Sequence, residues 1–314
     1  MKRVEHFFKQ AYIEGLIWWH YGSFSPQRIQ LVDSDQYVYV DPHDPRARKK
    51  IIADTIRGRF PRNQRFWREA VATLQPDTAL DIGLNFGECL FSILYRPDTT
   101  AYGFDANPQL RPWVEKSLLG HPSRDQIEIL FQLVSDGEKG EQEFFIDKRW
   151  SGCSTAALDS NKYDQDRYEN VVVPKSSIDH ELRNRGWAGE SLVFKIDVEG
   201  YEYRVLTGMR STLSKVNRFL GLVEFDGDLL EQAGECVSEY WDYLRDSFAV
   251  FAFTRSDKWY HANKFTTDQF AKICGKHFHT DLLLTDLHNT QYAETVLRCW
   301  HPATVRPSAS RRAA

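Results

Sequence analysis

The 314-residue chain has little cysteine and nothing that pairs it. Cys89, Cys153, Cys236, Cys274 and Cys299 are scattered without a C-x-x-C motif. That excludes a zinc ribbon or disulfide framework and fits a reducing compartment, so a cytoplasmic location is expected. No run of about 18 apolar residues exists, so no membrane span is expected. The opening MKRVEHFFKQAYIEG is basic, but Glu5 and Glu14 interrupt it and no long apolar core follows. It is not read as a signal peptide. An excess of basic charge is also missing. The net charge is −4, which argues against a nucleic-acid footprint as a global property. The G-x-G-x-x-G of a dinucleotide site is absent, and there is no internal repeat.

What is present suits a soluble globular protein. Apolar residues make up 42% and charged residues 27% of the chain, both ordinary values. The length allows one large domain or two small ones. Aromatics are the one excess, with 9 Trp, 14 Tyr and 20 Phe. Flat rings suit stacking on sugars or other rings, although core packing is their commoner fate.

The chain is organised around Leu192 to Met209, LVFKIDVEGYEYRVLTGM. An apolar run (Leu192, Val193, Phe194, Ile196, Val198) reads as a buried strand. Lys195, Asp197 and Glu199 share one parity within it, so a strand would turn them to one side. Gly200 ends the strand. A helix should follow, with Tyr201, Val205, Met209 and Leu213 on one stripe. Charges on a buried strand are costly unless paired or bound to a ligand, and in open α/β sheets ligands sit at the carboxyl ends of strands. Lys195 and Asp197 could equally be a structural ion pair, but three charges at one strand end favour a site.

A second signal is Ala79 to Leu94, ALDIGLNFGECLFSIL. A short strand carrying Asp81 runs into Gly83 and Gly87, and a helix should begin there with Leu90, Ile93 and Leu94 inward. Glycines at such a turn let backbone approach a ligand, and a helix start offers free N–H groups. Thr100 to Asp105, TAYGFD, is a strand ending in a carboxylate. An acidic residue about 20 positions past the glycine turn is where a ribose diol is gripped. A third strand, Ile127 to Val134, should end in Ser135 and Asp136.

Elsewhere the pattern gives an amphipathic segment in residues 1–29 (Phe7, Phe8, Ala11, Tyr12, Gly15, Leu16, Trp19) that covers the core or binds a partner. It also gives a strand at Gln36 to Val40, a break at the two prolines of DPHDP, and helices at Arg62 to Leu74 and Gln109 to Leu119. Glu141 to Ile146 reads as an excursion strand. The small-residue loop Trp150 to Thr155 could cover a substrate or be a solvated connection. Then come a strand at Val171 to Pro174, a helix at Ser177 to Arg185, and a strand at Phe219 to Phe225 with Glu224 near its end. A helix from Leu229 to Arg245 and a strand at Phe248 to Thr254 continue the alternation. Last come a helix at Thr267 to Lys276 and strands at Asp281 to Leu284 and Thr295 to Trp300. Residues 303–314 read as a disordered basic tail.

At DIGLNFGE, GFDANP, LVSDGEKG, the Ser151 to Thr155 loop and above all FKIDVEGYEYRVLTGM, the chain resembles the FkbM family of S-adenosylmethionine-dependent methyltransferases. The resemblance runs in order from about Tyr37 to Arg245. It departs at Leu84, where the family's D-x-G-A-N-x-G turn has alanine; Gly83, Asn85 and Gly87 remain. It implies an α/β fold of the class I methyltransferase (Rossmann-like) type, with a mostly parallel seven-stranded sheet, helices on both faces and an N-terminal helical segment. Residues 1–75 would be an extension packed on the core, 76–302 the methyltransferase domain and 303–314 the tail. It implies S-adenosylmethionine held by Asp81, Gly83, Asn85, Gly87, Asp105, Ser135 and Asp136. Gly83 and Gly87 would give room for the methionine part with Asp81 near its ammonium, Asp105 would take the ribose, and Asp136 the adenine amino group. The activity implied is O-methylation of a hydroxyl on a sugar, glycan or related small molecule.

Asp197, Lys195 and Glu224 are the catalytic candidates. Asp197 and Glu224 should lie at neighbouring strand ends, where two carboxylates could bind a hard cation such as Mg²⁺. They could instead act without metal as base and orienting group. Lys195 could also simply neutralise one of them. His20, His261 and His279 are candidate bases from outside the family motifs, though surface positions are commoner for such residues. The other classes are an NAD-type oxidoreductase, disfavoured by the missing glycine pattern, and a non-catalytic methyltransferase-like binding domain. Intact Asp81, Gly83, Gly87, Asp105 and Asp197 argue against the second.

Overall fold

The computed structural model describes residue 12 and residues 14–137, 139–160, 163–187, 189–274 and 279–302. The expected tail and the start of the N-terminal amphipathic segment (Phe7, Phe8, Ala11) lie outside these residues.

Among the described residues there are fourteen strands: β1 (Arg28–Gln30), β2 (Tyr37–Tyr39), β3 (Thr78–Ile82), β4 (Thr100–Asp105), β5 (Ile127–Phe131), β6 (Leu133–Val134), β7 (Gly140–Asp147), β8 (Tyr168–Ser176), β9 (Ser191–Ile196), β10 (Arg218–Asp226), β11 (Ala249–Phe253), β12 (Lys258–His261), β13 (His279–Thr285) and β14 (His301–Pro302). β3, β9 and β11 are buried along their whole length, as strands covered on both faces must be. They belong to a nine-stranded sheet of order β14-β12-β11-β13-β10-β9-β3-β4-β5. β5, β4, β3, β9 and β10 run parallel to one another. β13 runs antiparallel to β10 and β11, and β12 antiparallel to β11. The fold is the class I α/β arrangement expected, with two short edge strands, β12 and β14, beyond the seven.

Side chains alternate across the sheet. Val193 joins a core beneath the helix Arg62–Leu74 (Phe66, Trp67, Ala70), while Leu192, Phe194 and Ile196 join one with Val205, Leu206, Tyr240 and Trp241 on the other face. From β3 the chain steps outward through β4 to β5; from β9 it steps the other way to β10. The β3–β9 junction is therefore the switch point, where an open α/β sheet leaves a crevice at its carboxyl ends.

Several expected elements differ. The second proline of DPHDP starts a helix, Pro45–Arg57, whose N-cap Asp44 accepts from Ala47 N at 2.9 Å. Proline is favoured at a first helical position, where its missing N–H costs nothing. After Gly87 only a 3₁₀ turn forms, Leu90–Ser92, and Leu94 is exposed. Pro97 would clash with the Ile93 carbonyl of any longer helix. The third strand divides at Gln132: β5 stays in the main sheet, while β6 pairs with β8 in a small sheet with β7. The helix after Gly200 is interrupted into Glu202–Thr207 and Arg210–Leu213 around Gly208, where a Cβ would lie 2.1 Å from the Ser135 carbonyl oxygen. Gly234, with φ +80, divides the Leu229 to Arg245 segment into Gly227–Gln232 and Val237–Ser247. Thr295 to Trp300 is no strand; it overlaps a helix, Gln291–Leu297, that buries Ala293, Val296 and Leu297. No helix among the described residues is long and apolar enough to cross a membrane.

Candidate functional site

A cavity of about 430 Å³ opens at the switch point. Its floor comes from the turn after β3, the end of β4, and the ends of β9 and β10. The Trp150–Ser154 loop forms one wall, so that segment covers the cavity. Another wall comes from Lys50, Ile51 and Asp54 of the helix Pro45–Arg57 and from Pro61, Asn63 and Gln64.

Residues after β3 are fixed by backbone contacts. Gly83 has φ +81, and a Cβ there would lie 1.8 Å from the Asp197 carbonyl oxygen. Only glycine lets the two strand ends press together in this way. Gly83 N and Leu84 N both donate to Phe104 O, tying the turn to β4. Asn85 takes a left-handed φ of +52 and donates its N–H to Asp105 Oδ2 at 2.7 Å. Asp105 Oδ1 accepts from Asn107 N at 2.8 Å. Burial pushes Asp105 up to about 6, although these two bonds favour its charged form. Gly87 leaves room for the Phe91 ring, which a Cβ would meet at 2.4 Å. Leu84, at the family's alanine position, is 2% exposed and packs toward Gly103 of β4.

Strand register sets Asp81 of β3 beside Lys195 of β9. Asp81 is fully buried; its Oδ1 is 3.3 Å from Lys195 Nζ and its Oδ2 accepts from Leu90 N. Burial raises Asp81 to about 6 against the pull of Lys195. Burial would lower the Lys195 ammonium, but Asp81 and then Asp197 hold it above its ordinary value. At pH 7 both groups are therefore ionised. Lys195 Nζ also donates to Gly83 O at 2.6 Å and stands 3.6 Å from Asp197 Oδ2. One buried cation thus fixes the glycine turn and the Asp197 carboxylate together.

Asp197 follows the last residue of β9, and its side chain is 35% exposed toward the cavity. Glu199 reaches the same place by a left-handed turn, φ +54, rather than by strand alternation. Asp197, Glu199 and Glu224 each offer an oxygen, and the three oxygens lie within 4.8 Å of one another. Burial raises Glu199 to about 9, helped by Asp197, Glu202 and Asp226. Glu224 is raised well above the carboxylate range by burial, then by Asp197 and Glu199; its Oε2 is buried without a hydrogen-bond partner. Glu202 braces the loop by accepting from Val198 N and Gly200 N. His279 bonds Asp226 Oδ2 at 3.0 Å, and its Nδ1 lies 3.8 Å from Glu224 Oε1. Hydrogen bonding to Asp226 raises His279.

A sequence profile of the methyltransferase FkbM domain matches residues 81–249. The chain belongs to the FkbM methyltransferase family. No curated protein matches it in sequence. Among solved structures it is similar to the O-methyltransferase TomG from Streptomyces achromogenes in complex with S-adenosylmethionine, with 10% identity over 79% of this chain and 92% of that one and a TM-score of 0.39. It is also similar to an O-methyltransferase from Bacillus cereus in complex with SAH, with 8% identity over 72% and 82% and a TM-score of 0.39. Neither likeness is close enough to carry a residue or a substrate across.

Of the residues singled out from sequence, this FkbM-family cavity is lined by Gly83, Asn85, Asp105, Lys195, Asp197, Glu199 and Glu224. Asp81 and Gly87 are not among the lining residues: Asp81 meets Lys195, and a Cβ at Gly87 would meet Phe91. Ser135 and Asp136 are not among the lining residues, although β6 just before them is; Ser135 Oγ donates to Asp136 Oδ1. His20 and His261 are exposed away from the cavity, whereas His279 lines it. Lys50, Asp54 and Glu88 also line the cavity and were not singled out. For Glu88 the signal was its place beside the glycine turn; for Lys50 and Asp54 it was their i, i+4 spacing on one helix face.

Proposed function

We propose that this FkbM-family protein is an S-adenosylmethionine-dependent O-methyltransferase acting on a hydroxyl of a sugar-like or polyhydroxylated acceptor. The observation that carries the reading is Asp197: a half-buried carboxylate at the switch point, opening into the cavity and braced by buried Lys195. The cavity's chemistry fits the cofactor. S-adenosylmethionine has no phosphate, and the turn lacks the pyrophosphate glycine pattern. Asp105 keeps lone pairs free for two ribose hydroxyls after accepting its two backbone N–H bonds. When bound, the cofactor supplies an electrophilic methyl group.

The protein's own part is positioning. Asp197 orients the acceptor hydroxyl and takes its proton as the oxygen–methyl bond forms and the sulfur–methyl bond breaks. Lys195 holds Asp197 in place. Burial, with Asp197 and Glu199 beside it, raises Glu224 well above the carboxylate range and favours its protonated form, which offers the acceptor a hydrogen bond. The Trp150 ring on the cavity wall offers a stacking surface for a sugar face, which supports the acceptor class. Asp197, Glu199 and Glu224 also present the oxygen donors that a hard cation such as Mg²⁺ would take, so the second reading is a metal-assisted version of the same reaction.

The test compares S-adenosylmethionine with NAD by calorimetry, then follows methyl transfer to a panel of glycosides and polyols. Asp197→Asn should keep the fold and most cofactor affinity while lowering turnover by about 10²- to 10⁴-fold. In the metal-assisted version, chelator treatment reproduces that loss and Mg²⁺ restores it. Binding of NAD alone would point to the oxidoreductase, and unchanged turnover in Asp197→Asn would remove Asp197 from the mechanism.

A further inference from the structure

The charges lining the cavity are unevenly matched. Carboxylates come from every side, while the cations among the described lining residues are Lys195, His279 and Lys50. Lys195 is engaged by Asp81, Asp197 and the Gly83 carbonyl, and His279 by Asp226. Lys50 differs. It is in no ion pair among the described residues, and its Nζ lies 5.6 Å from the centre of the Trp150 ring. Its helix is fixed at both sides: Ala47 and Ile51 are buried in the core, and Asp44, the N-cap, also accepts from Ser151 N at 2.8 Å. The helix start and the Trp150–Ser154 loop, two walls of the cavity, are therefore tied together beside Lys50. Glu88, one residue past Gly87, lines the same cavity, and Lys50 is the strongest opposing charge on it.

A free amino-acid end presents one carboxylate and one ammonium and needs one group of each sign beside it. Resting on the S-adenosylmethionine reading above, we infer that Lys50 binds the α-carboxylate of the cofactor's methionine part and Glu88 its α-ammonium. Asp81, fully buried and not among the lining residues, is excluded from that task. Lys50 lies outside the residues the family profile matches, so the extension completes the cofactor site from beyond the domain.

Calorimetry with two probes isolates the contact: S-adenosylhomocysteine, which carries the amino-acid end, and 5′-deoxy-5′-methylthioadenosine, which lacks it. Lys50→Ala should weaken S-adenosylhomocysteine by roughly tenfold, a modest factor because Lys50 is exposed, and leave the second probe unchanged. Lys50→Arg should restore most of the loss, and Glu88→Gln should weaken the first probe alone. An equal loss for both probes would make Lys50 a support of the wall, and no loss for either would place the carboxylate elsewhere; each overturns the inference while sparing the cofactor assignment. If the wild type binds neither probe, the cofactor assignment itself fails and takes the inference with it.

Discussion

Asp105 holds its turn and faces the cavity with the same carboxylate. Its oxygens accept from Asn85 N and Asn107 N, and it lines the cavity between them. Asp105→Ala should therefore act twice. Losing two charge-assisted ribose contacts should weaken S-adenosylmethionine by about 2 to 4 kcal/mol, read by calorimetry. Orphaning two backbone donors should lower stability by about 1 to 3 kcal/mol, read by denaturant unfolding. A loss of stability with unchanged affinity would reduce Asp105 to a brace. Sequence parity was enough to bring Lys195 and Asp197 together, because Asp197 lies two residues on, just past the end of the strand that carries Lys195. It could not place Glu199, whose left-handed φ is a property of the loop. Nor could it separate Asp81, walled in by β9, from Asp105, open at the end of β4, since both are aspartates at the end of an apolar strand.

The elements read most easily were those with one strong period. Arg62–Leu74 and the β10 segment follow directly from their apolar spacing. Pro45–Arg57 was hidden because proline breaks and starts helices alike, and only the Asp44 cap tells which. That helix carries a cavity wall, so the site was legible from β3, β4, β9 and β10 but not from the extension, which reaches it through tertiary packing alone. The junction of β3 and β9 gives the sharpest test of an element. Gly83→Ala would drive a Cβ to 1.8 Å from the Asp197 carbonyl oxygen at φ +81, so it should cost at least about 3 kcal/mol and disturb cofactor binding. Gly58→Ala, at φ +59 with open space around it, should cost about 1 kcal/mol and leave binding intact. Equal unfolding costs in denaturant would mean that the two strand ends can part.

Across the whole molecule, the acidic cavity makes stability depend on pH. Burial pushes Asp105 up to about 6, Glu202 to about 7 and Glu199 to about 9. In the unfolded chain such groups release their protons near pH 4, so between pH 4 and 9 the folded state binds more protons. Their stabilising contribution is complete below about pH 4 and is lost as pH rises toward each folded value. The melting temperature should fall from pH 6 to 9, and Glu199→Gln should raise it more at pH 9 than at pH 5. An equal gain at both values would show Glu199 ionised throughout. The sheet order has its own consequence for synthesis. β13 lies between β10 and β11, antiparallel to both, yet it is made after them. A nascent chain that has not yet reached His279 carries a slot in the middle of its sheet, lined on both sides by unpaired backbone groups. Such edges are templates for strands from other chains. On a crowded polysome β13 therefore competes with its neighbours' strands for its own place, and the hazard lasts as long as the ribosome takes to release it.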